Sequence, residues 1–431
     1  MKITFIGSGY VGLVSGVMLS DLGHHVTCLD TDSNKIKQLK EAIPPIYELD
    51  LKHYLQKNIS SNNIQFVDNY QDAFLESEAI FITVGTPAKE NGEADLTYIY
   101  EAIEKAAKFA KAGTVFVIKS TVPPGTCQAI YNKLQTLKSD FDIASNPEFL
   151  REGKAIEDFI NPDRIVIGTR KTKTKQLLAE IYKPLTDKGV KLVSTDLNTA
   201  ELIKYAANSY LACKIAFINE MADLCESIDA DIDLLAHGIG LDKRIGKDFL
   251  KVGPGFGGSC FPKDILALQY LATDKKINSL ILDAIIKTNS LRPNKMVKKI
   301  NTILDGIKGK TLAILGLTYK AGTDDVRCSP AITIMELLCA AGANIKAYDP
   351  QAKISQNSKF TNVEFSNSTE TAITNADAVI ITTEWSEFKK ISWLDMQHLL
   401  KSPIIIDFRN LLNSQDLEKI GYKYYCIGKK I

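Results

Sequence analysis

The sequence predicts an α/β protein with two doubly wound parallel-sheet domains joined by a central helical segment. Three observations lead there. Short β-branched runs alternate with helical stretches at both ends of the chain, the pattern of parallel pairing. The last third echoes the first. Between them, residues 199–227 carry apolar side chains at helical spacing, with no strand pattern.

In the first third the expected strands are Ile3–Ile6, His25–Leu29, Ala79–Val84, Val115–Ile118, Phe141–Ala144 and Arg164–Ile167. In the last third they are Thr311–Leu315, Asn344–Tyr348, Ala378–Thr382 and Pro403–Ile406. Asp30 closes His25–Leu29 much as Asp349 closes Asn344–Tyr348. The echo has no fixed period, so two nucleotide-binding-like domains explain it better than a solenoid. In the centre, Leu202, Tyr205, Ala206, Leu211, Ile215, Ile218, Met221, Ala222 and Cys225 mark one face of a long helix. Asn198, with Glu201 three residues later, resembles its N-cap. Such a helix can bury a face against a second subunit, or lie within a single core. The expected domains are 1–195, 196–300 and 301–431.

The size agrees: 431 residues exceed one ordinary domain and can bury a large core without staples. Lys plus Arg total 52 and Asp plus Glu 51, a formal charge of +1. That balance argues against a nucleic-acid groove or a membrane-surface sheet, though not against a local basic pocket for a phosphorylated ligand. The eight cysteines (Cys28, Cys127, Cys213, Cys225, Cys260, Cys328, Cys339, Cys426) form no C-x-x-C pair, and with five His no metal site is expected. Scattered cysteines suit a reducing cytosol. The N-terminal run MKITFIGSGYVG lacks a cleavage region and reads as a strand rather than a signal peptide. No apolar run of about 18 residues appears, so no membrane helix and a cytoplasmic location are expected.

Gly7-Ser8-Gly9-Tyr10-Val11-Gly12 follows a strand and opens a helical pattern. The first glycine permits the tight turn, the second lets backbone approach a pyrophosphate, and the third lets helix and strand pack. The phosphates would meet free N–H groups at the helix N-terminus. Asp30 is placed to accept from both ribose hydroxyls and to repel a 2′-phosphate, which favours NAD over NADP. Lys35 lies within reach of a ribose or phosphate. Thr86 and Thr121 follow later strands, where ligands of such Rossmann-like sheets bind, although ordinary turn hydroxyls would look the same.

Residues 253–264, GPGFGGSCFPKD, are the most unusual stretch. So many glycines cost conformational entropy, which suggests a backbone wrapped on a ligand. Ser259 is placed to cap the next helix, with Pro262 in its first turn. Cys260 then lies at a helix N-terminus beside Lys263, and both lower a thiol pKa. We read Cys260 as a nucleophile and the other cysteines as small buried hydrophobes. Lys204 and Asn208, at i and i+4, share a helix face among apolar neighbours. A buried ammonium there needs a partner or a function, such as a developing oxyanion. Glu148, in Asn146-Pro147-Glu148-Phe149-Leu150-Arg151-Glu152, reads equally as an acid or base and as a solvated turn carboxylate. In the last third, Lys320 and Arg327 follow a strand and could bind phosphate and cofactor.

Together the segments GSGYVG, ITVGTP, STVPPGT, NPEFLREG, ELIKYAANS, FGGSCFPKD and GLTYKAGTDDVR resemble the UDP-glucose/GDP-mannose dehydrogenase family, in its order and over essentially the whole chain. The resemblance implies oxidation of the C6 alcohol of a nucleotide sugar, UDP-glucose best, to a carboxylate with two NAD consumed. GDP-mannose and UDP-N-acetylhexosamine are the alternative substrates, and a non-catalytic binding protein is the alternative class. Members acting on N-acetylated sugars usually carry His where this chain has Ser259.

The resemblance also implies roles. Cys260 attacks the aldehyde to form a thiohemiacetal, then a thioester. Lys204 and Asn208 stabilise the C6 oxygen, Asp264 and Thr121 surround the water, and Glu148 serves thioester hydrolysis. Substrate positions fall on Glu148, Phe149, Leu150, Arg151, Glu152, Lys204, Asn208, Phe249, Leu250, Lys251, Val252, Gly253, Gly257, Lys320 and Arg409. Arg244 matches a residue that reaches the neighbouring subunit's site, which implies a homodimer. The family's cofactor positions fall on Val11, Asp30, Lys35, Thr121, Glu152, Lys263 and Arg327, beside Gly7, Gly9, Tyr10, Gly12 and Thr86, which the glycine turn and the strand ends supply. Phe249 stands where some members have Tyr.

Overall fold

The computed structural model describes residues 1–74, 76–137, 140–352, 354, 360 and 362–429. It divides into two compact units, residues 1–207 with 266–277, and residues 208–265 with 278–431.

The first unit is built on an eight-stranded sheet: β1 (Lys2–Ile6), β2 (His25–Leu29), β3 (Ile64–Val67), β4 (Ala79–Ile82), β5 (Val115–Ile118), β6 (Asp142–Ser145), β7 (Ile165–Thr169) and β8 (Leu192–Thr195). The strand order is β3-β2-β1-β4-β5-β6-β7-β8. Chain direction through the sheet reverses between β1 and β4, the switch point where doubly wound sheets bind ligands. Side chains alternate across the sheet. Ile3, Phe5 and Phe81 join Leu13, Val14 and Val17 of the helix Tyr10–Asp21 on one face. Ile6, Ile80 and Ile82 join Ile99, Ile103 and Ile130 on the other. A sheet covered on both faces explains why β4 and β5 read as continuous apolar runs.

The second unit carries a six-stranded sheet: β9 (Thr311–Leu315), β10 (Asn344–Tyr348), β11 (Val363–Phe365), β12 (Ala378–Ile381), β13 (Ile404–Asp407) and β14 (Lys423–Cys426). Its order, β11-β10-β9-β12-β13-β14, repeats the topology of the first sheet, and every pairing is parallel.

Three details correct the sequence reading. Phe141–Ala144 and Arg164–Ile167 were expected to join a parallel sheet, yet β6 and β7 pair antiparallel, Ala144 opposite Thr169 and Ser145 opposite Gly168. The long helix runs Leu197–Ile228, and its cap is Asp196 rather than Asn198. The Asp196 carboxylate accepts from the Thr199 N–H at 2.9 Å, which puts Asn198 inside the first turn. Glu201 is therefore no capping-box partner. Finally, the helix Phe261–Asp274 begins one residue later than expected: the Asp264 N–H bonds the Cys260 carbonyl at 2.9 Å, so Cys260 itself, not Ser259, holds the N-cap position.

Among the described residues no helix is long and apolar enough to cross a membrane, and no disulfide joins any of the eight cysteines.

Candidate active site

The glycine turn sits at the switch point of the first unit. Gly12 lies where helix and strand pack: a Cβ there would stand 1.9 Å from the Gly7 carbonyl oxygen and 2.5 Å from Thr83 Oγ1. Gly9 is the opposite case, with nothing within 4 Å of an added Cβ. It is also the N-cap of Tyr10–Asp21 and has no side chain to satisfy the first-turn N–H groups. A dinucleotide pyrophosphate fits this arrangement, because the opening is bare and the donors point into it. Asp30 ends β2, and its carboxylate accepts from the Ser8 N–H at 2.8 Å and from Lys35 Nζ at 2.9 Å. Lys35 is thus held beside Asp30 at the end of β2. The loops after β4 and β5 are stitched together: Thr86 Oγ1 donates to the Thr121 carbonyl at 3.0 Å and Ser120 Oγ to the Val84 carbonyl at 2.6 Å. Val11 is half-buried in the first helical turn.

Tyr10 reaches out of that turn. Its hydroxyl accepts from the Gly153 N–H at 2.6 Å, and Glu48 accepts from the same group at 2.7 Å and from the Ala155 N–H at 2.8 Å. The segment after β6, which carries Glu148 to Glu152, is therefore clamped at its far end by the glycine-turn helix. Glu201, 2% exposed, clamps the loop after Thr121 by accepting from the Gly125 and Cys127 N–H groups, both at 2.7 Å. Burial raises its pKa above the usual carboxylate value.

Glu148 and Lys204 meet in this unit. Both are buried, 6% and 4% exposed, and Lys204 Nζ lies 3.1 Å from Glu148 Oε1. Glu148 Oε2 accepts from the Leu150 N–H at 2.5 Å, and the Phe149 ring centroid lies 5.3 Å from Lys204 Nζ and 3.6 Å from the Arg164 guanidinium. Glu148 is thus no solvated turn carboxylate. Arg151 points elsewhere, onto Asp158 at 2.5 Å.

The second unit gathers another group. Asp264 is 1% exposed; its carboxylate accepts from Asn208 Nδ2 at 2.6 Å and from Lys263 Nζ at 2.5 Å. Cys260 stands directly before the helix that carries both residues, with its Sγ 3.6 Å from Ser259 Oγ. Helix-terminal N–H groups and the neighbouring ammonium favour an anion there. The glycine loop leading to it is packed where side chains would not fit. A Cβ on Gly257 would lie 2.2 Å from the Cys328 carbonyl oxygen, one on Gly258 2.8 Å from the Tyr319 ring, and one on Gly253 2.8 Å from Arg409 Nη1. Arg409 in turn donates to the Tyr319 carbonyl at 3.0 Å. The loop 316–328 and Arg409 are thus brought to the glycine loop. Lys320 lies over the Tyr319 ring, and Arg327 pairs with Asp325 at 2.7 Å. Phe249 adopts φ 63°, turning the chain into Leu250, Lys251 and Val252, of which Leu250 and Val252 are buried. Arg244 stands apart, its side chain 89% exposed and paired only locally, with Asp242 at 2.6 Å.

Sequence reasoning missed Lys119 and Glu48, because charged residues next to loops usually read as solvated, and it read Glu201 as a capping partner rather than as a buried clamp. Lys119 had a signal: it directly extends the fully apolar strand Val115–Ile118.

Residues 1–186 match the NAD binding domain of the UDP-glucose/GDP-mannose dehydrogenase family, 198–291 its central domain and 313–414 its UDP binding domain. The chain is 55% identical to a UDP-glucose 6-dehydrogenase of Rickettsia bellii over the full length of both. Among solved structures it resembles a UDP-glucose dehydrogenase of Pyrobaculum islandicum (TM-score 0.91, 32% identity, covering 100% of this chain and 98% of that one). A UDP-D-ManNAc dehydrogenase of Pyrococcus horikoshii is also similar (TM-score 0.87, 26% identity, covering 100% and 99%). With all three domains matched in order and more than half the residues shared with a full-length relative, the chain belongs to the UDP-glucose/GDP-mannose dehydrogenase family.

Proposed function

We propose that this protein oxidises the C6 alcohol of UDP-glucose to the carboxylate, reducing two NAD per sugar, with Cys260 as covalent nucleophile. The observation that carries the reading is the placement of Cys260 at a helix N-terminus that also bears Lys263 and the Asn208-bound carboxylate of Asp264. The full-length likeness to a UDP-glucose 6-dehydrogenase supports the substrate. Bound NAD supplies the hydride acceptor for each of the two oxidations.

The protein's own groups do the rest. After the first oxidation the Cys260 thiolate adds to the C6 aldehyde, forming a C–S bond, and the aldehyde oxygen takes a proton. Lys204 and Asn208, one turn apart on the long helix, stabilise that oxygen while it carries charge. Loss of hydride to the second NAD, together with release of the hydroxyl proton, turns the resulting thiohemiacetal into a thioester. Water, ordered by Asp264 and Thr121, attacks the acyl carbon, and Glu148 assists by taking its proton. The C–S bond breaks, releasing the carboxylate and restoring the thiol.

NAD lies on the glycine turn with Gly7, Gly9, Tyr10, Val11 and Gly12 at its phosphates and Asp30 and Lys35 at its ribose. Thr86, Thr121, Glu152, Lys263 and Arg327 complete its contacts. The nucleotide sugar is held by Glu148–Glu152, residues 249–253, Gly257, Lys320 and Arg409. The domains divide as 1–195, 196–300 and 301–431.

The working form is a homodimer. Tyr210, Phe217 and Leu224 recur every seven residues on the long helix and, with Ile228, are 49–65% exposed, a stripe suited to a second copy. Arg244, extended into solvent, supplies the neighbouring subunit's site. Eight cysteines without a disulfide suit the cytoplasm.

Substrate identity is tested by following NADH with UDP-glucose, GDP-mannose and UDP-N-acetyl sugars in parallel. UDP-glucose is expected to give the highest kcat/KM. Preference for another sugar reassigns the substrate, and no turnover with any sugar leaves only a binding protein.

A further inference from the structure

Lys119 is an internal ammonium that the reaction just described does not use. It stands immediately after β5, is 5% exposed, and makes one hydrogen bond among the described residues, to Asn146 Oδ1 at 3.3 Å. Asn146 is itself fixed. Its Oδ1 also accepts from the Tyr182 hydroxyl at 2.5 Å, its Nδ2 donates to the Val166 carbonyl at 2.8 Å, and its N–H bonds the Ile118 carbonyl at 2.8 Å. Two residues further along the same segment is Glu148, which pairs with Lys204. The charged groups acting on Lys119 are these two, Glu148 from the segment after β6 and Lys204 from the long helix; the neutral faces are Asn146 and Tyr182. The segment that Lys119 holds through Asn146 is thus the one that carries the carboxylate paired with Lys204.

We propose that Lys119 is a positioning residue for the reaction: bound to Asn146, it holds the segment that carries Glu148 and sets a second positive charge against the Glu148–Lys204 pair. This rests on the reading that Glu148 and Lys204 act in the reaction. The physical reason is local. A carboxylate whose backbone segment is tied down by a buried hydrogen bond two residues away is held more firmly in place, and a second buried positive charge nearby leaves Lys204 freer to turn to a ligand oxygen. Burial pushes Lys119 down to about 8, so it is charged at neutral pH and loses its charge just above it.

The test is the pH dependence of kcat in full-length Lys119→Met and Lys119→Gln. Gln keeps a donor for Asn146 and so covers the case in which Met does not fold. The expected result is kcat lowered about 10²-fold with the KM for NAD unchanged. A basic limb near pH 8 in the parent should be absent from both variants, and Lys119→Arg should restore kcat and move that limb to higher pH. A variant that folds and keeps either the parent's kcat or the parent's basic limb overturns the inference. Glu148→Gln and Lys204→Met are measured alongside. If both turn over like the parent, the reading of the Glu148–Lys204 site fails; if they are impaired while the Lys119 variants are not, only the present inference fails.

Discussion

Gly9→Ala and Gly12→Ala separate a glycine kept for the cofactor from a glycine kept for the fold. At Gly9 the backbone is at φ −75°, a value any residue adopts, and an added methyl meets no atom within 4 Å. The folded state has room for it; the stiffer unfolded chain offsets part of the cost of Ala as a poorer N-cap than Gly, so stability should change by no more than about 1 kcal/mol. The same methyl enters the open space beside the uncapped N–H groups, where the pyrophosphate would lie. Loss of close approach should weaken NAD by about 10–100-fold, equivalent to roughly 1.4–2.8 kcal/mol. At Gly12 the methyl would enter 1.9 Å from a backbone oxygen that is itself held in the turn, and 2.5 Å from Thr83 Oγ1. That overlap forces helix and strand apart, at a cost on the order of 3 kcal/mol. Urea unfolding reads the first quantity and titration of NADH fluorescence the second. If Gly9→Ala binds NADH as the parent does, or is destabilised as strongly as Gly12→Ala, the assignment of the turn is wrong.

Cys260→Ser should abolish formation of the acid, because a serine hydroxyl stays protonated where a thiol ionises and is then a far poorer nucleophile; continued two-step turnover would remove the covalent route. Asp264→Asn takes the charge from a carboxylate bound to Asn208 and Lys263, at about 1–3 kcal/mol for the weakened charge-assisted bonds. It should lower thermal stability and kcat together, and a variant with parental melting and kcat would show that the network is idle. Burial lowers the pKa of His24, whose Nε2 contacts the Ile181 carbonyl at 2.9 Å. The folded state then binds that proton less readily than the unfolded chain, so its contribution is complete above about pH 6.5 and is lost as pH falls below it. Urea midpoints at pH 7.5 and 5.5 should fall for the parent by more than for His24→Asn; equal falls would refute the assignment.

Much of the fold was legible because its parallel strands are either continuous apolar runs, as in Val115–Ile118, or alternate buried with less buried residues, as in Asn344–Tyr348. Val115–Ile118, His25–Leu29, Thr311–Leu315 and Asn344–Tyr348 match their observed bounds residue for residue. The strands that were missed lie at sheet edges or are too short to carry a pattern. β8, Leu192–Thr195, and β14 have no buried residue, and β11 has three residues. The antiparallel turn of β7 was invisible because its sequence, all buried or nearly so, reads as any other central strand. At the candidate site, Cys260, Lys204 and Asn208 were recognisable from composition and spacing, since each is an unusual residue in an apolar or glycine-rich setting. The clamps were not. Glu48 and Glu201 act on backbone N–H groups 105 and 76 residues away in sequence, and no local pattern records such a partner.

The most direct test of a covalent, two-step oxidation is the number of NADH formed per UDP-glucose consumed, counted to completion with limiting sugar. Two NADH and a carboxylate product are expected. One NADH with free aldehyde released would contradict capture by Cys260.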